Sequence, residues 1–158
     1  MALKTQVAAV RASIKALVVA SVPTGTPVYD WLRNLSHEQS IAEIQRDAGP
    51  RLHFWQFALA PDSPVMIERG PGDCNRVRVT WELHAYYALQ DLVVPPTEKL
   101  LDDEVSDVMD AIEADRKSTT SLVKGGPAQR VQAGAVMLNT VLCNYARLTI
   151  MTLIHTEA

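Results

Sequence analysis

The chain has little cysteine, no excess of basic charge and no long unbroken apolar run, and each shortage removes a class of protein. Its two cysteines, Cys74 and Cys143, stand far apart among 158 residues. Cys74 falls in a Gly/Pro-rich stretch and Cys143 in an apolar one. Neither a metal pair nor a disulfide framework is suggested, and both are expected to be free thiols in a reducing compartment. Fifteen basic residues against eighteen acidic ones give a net charge of −3. Nucleic-acid binding usually shows as a basic patch or stripe, and the charge balance offers none. The stretch Val131–Ala146 carries no formal charge, but Gln132, Asn139, Thr140 and Asn144 interrupt it. Arg147 ends it short of the roughly 20 apolar residues that a membrane span needs. Lys4, Arg11 and Lys15 likewise break up the N-terminal segment, which leaves no core for a signal peptide. A soluble protein with no membrane partner is expected.

Catalytic signatures are also missing. The histidines, His37, His53, His84 and His155, have no second ligand at a metal-binding spacing such as H-x-x-x-H. There is no G-x-S-x-G elbow and no S-x-x-K. Gly70-Pro71-Gly72-Asp73 matches neither a Walker A loop nor a dinucleotide turn. No catalytic, cofactor-binding or metal-binding residue is assigned, and no cofactor is expected.

What is present is ordinary globular composition, 47% hydrophobic and 21% charged, in a length that suits one domain. Leu3, Val7, Val10, Ile14 and Leu17 recur at spacings of four and three, which lines one face of a helix. Pro23, Gly25 and Pro27 stop it. Pro27–Leu32 reads as a short strand or a helical turn. Ser36–Arg46 reads as a helix capped by Ser36, with Gln39 completing a capping box and Ile41 and Ile44 on one face. Arg51–Ala60, with Phe54, Trp55 and Phe57, suits a strand. Pro61–Asn75 reads as a long loop or a short edge ribbon. Arg76–Leu89 alternates Val77, Val79, Trp81, Leu83, Ala85, Tyr87 and Leu89 with polar residues, the period of a strand with one buried face.

Pro95-Pro96-Thr97 launches a second helix through Asp115, with Leu101, Val105, Val108 and Ile112 as its stripe. Arg116–Arg130 reads as a connection holding four basic residues and no acidic one. Val131–Leu142 and Ala146–Thr156 read as the last two strands. The expectation is one α+β domain over 1–158: a mixed or antiparallel sheet, helices on one face, long loops near 61–75 and 116–130.

Two features call for a surface. From Glu98 to Asp115 the second helix holds eight acidic residues against Lys99 alone. That is either a solvated face or a docking face for a basic partner, or else a wall past which DNA slides. The aromatic clusters Phe54-Trp55-Phe57 and Tyr86-Tyr87 straddle both faces of their strands. Each should therefore place at least one ring under a second layer or a second subunit.

The layout resembles that of the bacteriophage tail terminator (tail completion) proteins. The resemblance rests on the N-terminal helix, the strand Thr80-Trp81-Glu82-Leu83-His84-Ala85-Tyr86-Tyr87, and the turn Val94-Pro95-Pro96. It continues through the acidic helix containing Leu101 and Val108-Met109-Asp110-Ala111-Ile112, and the closing strand Ala146–Ile154. It covers about two-thirds of the chain. It implies a structural virion protein, assembled in the host cytoplasm, whose hexameric ring caps the tail tube, ends tube growth and presents a surface for the head. Its partners would be further copies of itself, the tail tube protein and head-completion or neck proteins, with DNA only passing through the channel. Candidate contact residues are Trp55, Phe57 and Tyr86, the acidic Asp103, Asp107 and Asp110, and Lys117 and Lys124. Alternatives are a head–tail connector or stopper, a small enzyme pairing His84 with a carboxylate of the second helix, and an adaptor that binds a peptide by strand addition.

Overall fold

A computed structural model describes residues 3–49, 51–61, 66–69, 74–89, 95–116 and 128–157. Their order is α1 (Leu3–Ser21), β1 (Val28–Tyr29), α2 (Glu38–Ala48), β2 (His53–Leu59), β3 (Met66–Arg69), β4 (Cys74–Ala88), α3 (Thr97–Arg116), β5 (Gln129–Leu138) and β6 (Val141–Glu157). The strands form one mixed sheet in the order β1-β2-β4-β6-β5, with β3 also beside β4. Among the described residues only the β1–β2 pairing is parallel. This is the expected α+β class.

The sheet is organised by β4 and β6, paired antiparallel from Cys74 opposite Glu157 to Ala88 opposite Cys143. Alternation along β4 sends Val77, Val79, Trp81, Leu83 and Ala85 to one face. There they bury against Leu148 and Ile150 of β6, Trp55 and Phe57 of β2, and the apolar stripes of α1 and α3. Val10, Ile14 and Val18 of α1 and Leu101, Val105, Val108 and Ile112 of α3 are all buried. Each such side chain contributes about 1.5–3 kcal/mol relative to exposure. The Trp81 indole N–H is buried in this core and donates to Thr152 Oγ1 at 3.0 Å, while the Thr152 hydroxyl donates to the Val79 carbonyl at 3.1 Å.

The helices are not confined to one face. A parallel β1–β2 pair needs a crossover, and α2 supplies it. The crossover lays Ile41 and Ile44 on the opposite side of the sheet. There they cover Phe54, Tyr86, Cys143 and Tyr145 together with Tyr29 and Leu52. The Tyr29 hydroxyl donates to Asp47 at 2.8 Å and ties α2 to the sheet edge. Burial and that bond push its phenol up to about 12. The capping box is absent. His37 occupies the N-cap with no side-chain cap, and the Ser36 hydroxyl bonds to Asn34 Oδ1 instead.

The last hairpin turns earlier than its apolar pattern indicated. Leu138 pairs with Val141 across Asn139-Thr140, and Asn139 takes φ 54°, a left-handed conformation that asparagine tolerates. Cys143 therefore lies inside β6, free and buried, its thiol pushed up to about 11 by burial. Residues 66–69 of the expected loop over 61–75 form the edge ribbon β3, while residues 117–127 of the other expected loop lie outside the described residues.

Thr152→Val keeps the side-chain shape but leaves the buried Trp81 N–H without its acceptor. It is expected to cost about 1–3 kcal/mol. In urea this appears as a lower unfolding midpoint with an unchanged slope. An unchanged midpoint would show that the bond contributes nothing.

Candidate functional site

Trp55 and Phe57 are 1% exposed, and Tyr86 is 6% exposed. They are core, which corrects their assignment as subunit contacts. Both sheet faces are covered at this end: α1 and α3 lie over Trp55 and Phe57, while α2 lies over Tyr86 and Phe54. Phe54 and Tyr86 stack at 4.7 Å, and Tyr86 lies 5.0 Å from Tyr145. The aromatic that does reach the surface is Trp31, 49% exposed. Asp103, Asp107 and Asp110 share the exposed side of α3, as a solvated or docking face requires. Lys117 and Lys124 lie outside the described residues.

One of the eight acidic residues of α3 turns inward. Glu104 is buried beside the apolar stripe, where its carboxylate accepts from the Trp55 indole N–H and lies 2.9 Å from His53 Nε2. His53 in turn stacks on Tyr87 at 4.0 Å. These rings edge an open pocket of about 580 Å³ that also touches Arg51 and the turn Pro23–Thr26. A buried carboxylate is tolerated only when its partners satisfy it. The spacing Leu101-x-x-Glu104 signals this position, because it places a carboxylate on the buried side of the helix.

The opposite sheet face holds a second imidazole–carboxylate pair. His84 lies away from α3, so the envisaged pairing with a carboxylate of that helix does not occur. Its Nε2 lies 2.8 Å from Glu82 Oε1, and its Nδ1 lies 2.7 Å from the Tyr145 hydroxyl. One neutral tautomer satisfies all three groups: Tyr145 donates to Nδ1, and Nε2–H donates to Glu82. Burial, reinforced by Arg147, lowers His84 below its ordinary value of 6.5 and outweighs the opposing pull of Glu82. Burial likewise raises the Tyr145 phenol. Carboxylate, imidazole and hydroxyl in series have the outline of a nucleophile relay. Here, however, the hydroxyl is held protonated, and each group is already engaged by its neighbours. Among the described residues no cluster of three or more His, Cys, Asp or Glu side chains could hold a metal ion, and no helix is long and apolar enough to cross a membrane.

The least covered part of the fold is β5. Gln129 through Ala135 are all exposed, as is Met137. Among the described residues β5 pairs only with β6, so its other edge has no partner strand. Edge strands are usually blunted by charge, proline or a bulge. β5 has a register shift between Arg130 and Gln132, and Arg130 is paired with Asp102 at 2.7 Å. From Gln132 to Met137 it carries neither charge nor proline. Between β5 and the start of α3 runs a groove of about 500 Å³, lined by Glu98, Leu101, Asp102, Ala133 and Ala135. Leu89, Leu142 and Met137 form an exposed apolar row at its end. The sequence alone did not single out this edge, because Ala133-Gly134-Ala135 carries no amphipathic signal.

No protein-family model matches the chain, and no curated protein matches it.

Two outcomes are expected from the polar groups. Glu104→Ala, which strands His53 and the Trp55 N–H in the core, should cost about 3–5 kcal/mol in chemical denaturation. A loss below about 1 kcal/mol, the scale of an exposed pair, would show that the node is solvated. The second concerns pH. Because His84 binds its proton more weakly when folded, the unfolded chain protonates first as pH falls. Its contribution is therefore whole above about pH 6.5 and declines below it. Between pH 7.5 and 5.5 the wild-type Tm should fall, and His84→Gln should flatten that fall. Identical profiles would exclude His84 as the cause.

Proposed function

We propose that this chain is a structural subunit of a phage particle, a tail terminator whose copies form a hexameric ring on the end of the tail tube. The ring stops tube polymerisation and offers its outer surface to the head-completion proteins. The observation that carries this reading is the open β5 edge beside the groove under α3, a long, nearly uncharged strand whose outer edge meets no further strand among the described residues. A chain that works alone gains nothing from such an edge, which invites pairing with other strands. A chain that works as a ring uses it. The exposed carboxylates Asp103, Asp107 and Asp110 support the reading as a surface that DNA passes without sticking. The polar groups of the interior support assembly over catalysis, since His53, Glu104, Glu82, His84 and Tyr145 are engaged with one another.

The β5 edge also favours a second reading, an adaptor that adds a strand from a foreign peptide. Negative-stain imaging of the purified protein, alone and with tail tube protein, separates the two. A terminator gives rings and tubes capped at a fixed length. Compact monomers under both conditions would remove the terminator reading.

Reversing the charge at Asp103, Asp107 and Asp110 together should leave the circular dichroism spectrum and Tm close to wild type, because all three are solvated. The same variant should lower the yield of infectious particles through impaired docking or DNA passage. Unchanged infectivity and ring formation would make this face merely solvated.

A further inference from the structure

β3, off the main strand order, presents a further open edge. β3 pairs with β4 on one side only among the described residues, and its Ile67 is 62% exposed. Ile67 lies opposite Val77, so it projects to the same side of the sheet as α1 and α3, and Arg69, two residues on, shares that side and is exposed. The β5 edge has the complementary form. On the same side of the sheet, Ala133 lies opposite Ala146 and Ala135 opposite Asn144, a shelf of small side chains. The shelf is walled by Glu98 and Asp102 of α3. Asp102 is already held by Arg130, so Glu98 leaves the wall net negative. At Gly134, between the two alanines, an added Cβ would meet nothing within 4 Å. One edge thus presents an apolar side chain and a cation; the other presents an uncovered shelf and an anion.

We infer that β3 of one copy adds to the β5 edge of the next, head to tail, seating Ile67 over Ala133 and Ala135 with Arg69 against Glu98. The occupant of the groove is a second copy of this chain. The inference rests on the ring reading above and names its subunit contact. A contact between two different edges of the same molecule repeats by rotation and closes when the rotation divides the circle. The symmetric alternative, β5 against β5, sets two acidic walls across two shelves of small residues. It brings nothing bulky to fill them and places like charges opposite each other.

Two double variants test the polarity, both at exposed positions. Ile67→Asp with Arg69→Glu spoils the β3 edge and keeps the β5 shelf. Ala133→Arg with Ala135→Arg fills the shelf and keeps β3. Circular dichroism and thermal melting establish that each is folded, and sedimentation velocity reads assembly. Each variant alone should be monomeric, with self-association weakened by about tenfold or more. Mixed in equal amounts, they should form a one-to-one dimer that grows no further, because one intact β3 edge meets one intact shelf. Dimers of the first variant alone would establish β5–β5 pairing and overturn the inference. Wild-type rings with variants that assemble equally well would overturn this contact and leave the ring reading standing. Monomers throughout, wild type included and with no dimer on mixing, would overturn this contact, and the ring reading falls with it if the wild type also stays monomeric with tail tube protein.

Discussion

Fifteen consecutive residue pairs hold β4 against β6, and their register decides what every other part of the molecule can do. In a sheet with both faces used, a slip of one residue would exchange the two sets of side chains. Val77, Val79, Trp81 and Leu83 would leave the helices, while Glu82 and His84 would enter an apolar core. The cost of burying those polar groups without partners, and of exposing Trp81, excludes the slipped pairing. Once the register is set, the side under α1 and α3 is apolar apart from the Glu104 node and the buried Trp81–Thr152 and Asn144–Thr97 hydrogen bonds. The other side is apolar only where α2 covers it, and polar around Glu82, His84 and Arg147.

The strongly periodic segments were legible before the fold was known. The four- and three-residue spacing in α1, the alternation in β4 and the stripe of α3 each declare a buried face, and each face is buried. The connection between β1 and β2 was not legible, because two residues of strand carry no period, and a parallel pairing shows itself only through its crossover. That omission had a consequence. Without α2 on the far side of the sheet, Phe54 and Tyr86 have no cover, which leaves a second layer and a second subunit equally open. The covering layer is in fact supplied by the chain itself. Trp55 and Phe57 followed the same reasoning and lie under α1 and α3.

The candidate surface was legible only in part. The carboxylates Asp103, Asp107 and Asp110 are exposed as their positions opposite the apolar stripe dictate, while Glu104 was grouped with them although it stands beside Leu101 and Val105. The β5 edge was missed for a physical reason. An edge strand announces itself through what lies beside it in space, and the alanines and glycine of β5 carry no local pattern. The His53–Glu104 pair could not be read from sequence either, since its members are 51 residues apart and meet only when α3 lies over β2. With the imidazole–carboxylate pairs closed and the outer edges of β5 and β3 open among the described residues, the polar chemistry of the molecule is turned inward, and its backbone hydrogen-bonding capacity is turned outward.

Hydrogen–deuterium exchange of the backbone amides, compared between dilute and assembled protein, tests this account most directly. In the dilute protein the β5 amides that face away from β6 should exchange freely. On assembly, protection should rise together in residues 129–137 and in residues 66–69, with little change in the β4–β6 ladder. Assembly that leaves the β5 amides as exchangeable as before would contradict the claim that this edge is where copies of the chain meet.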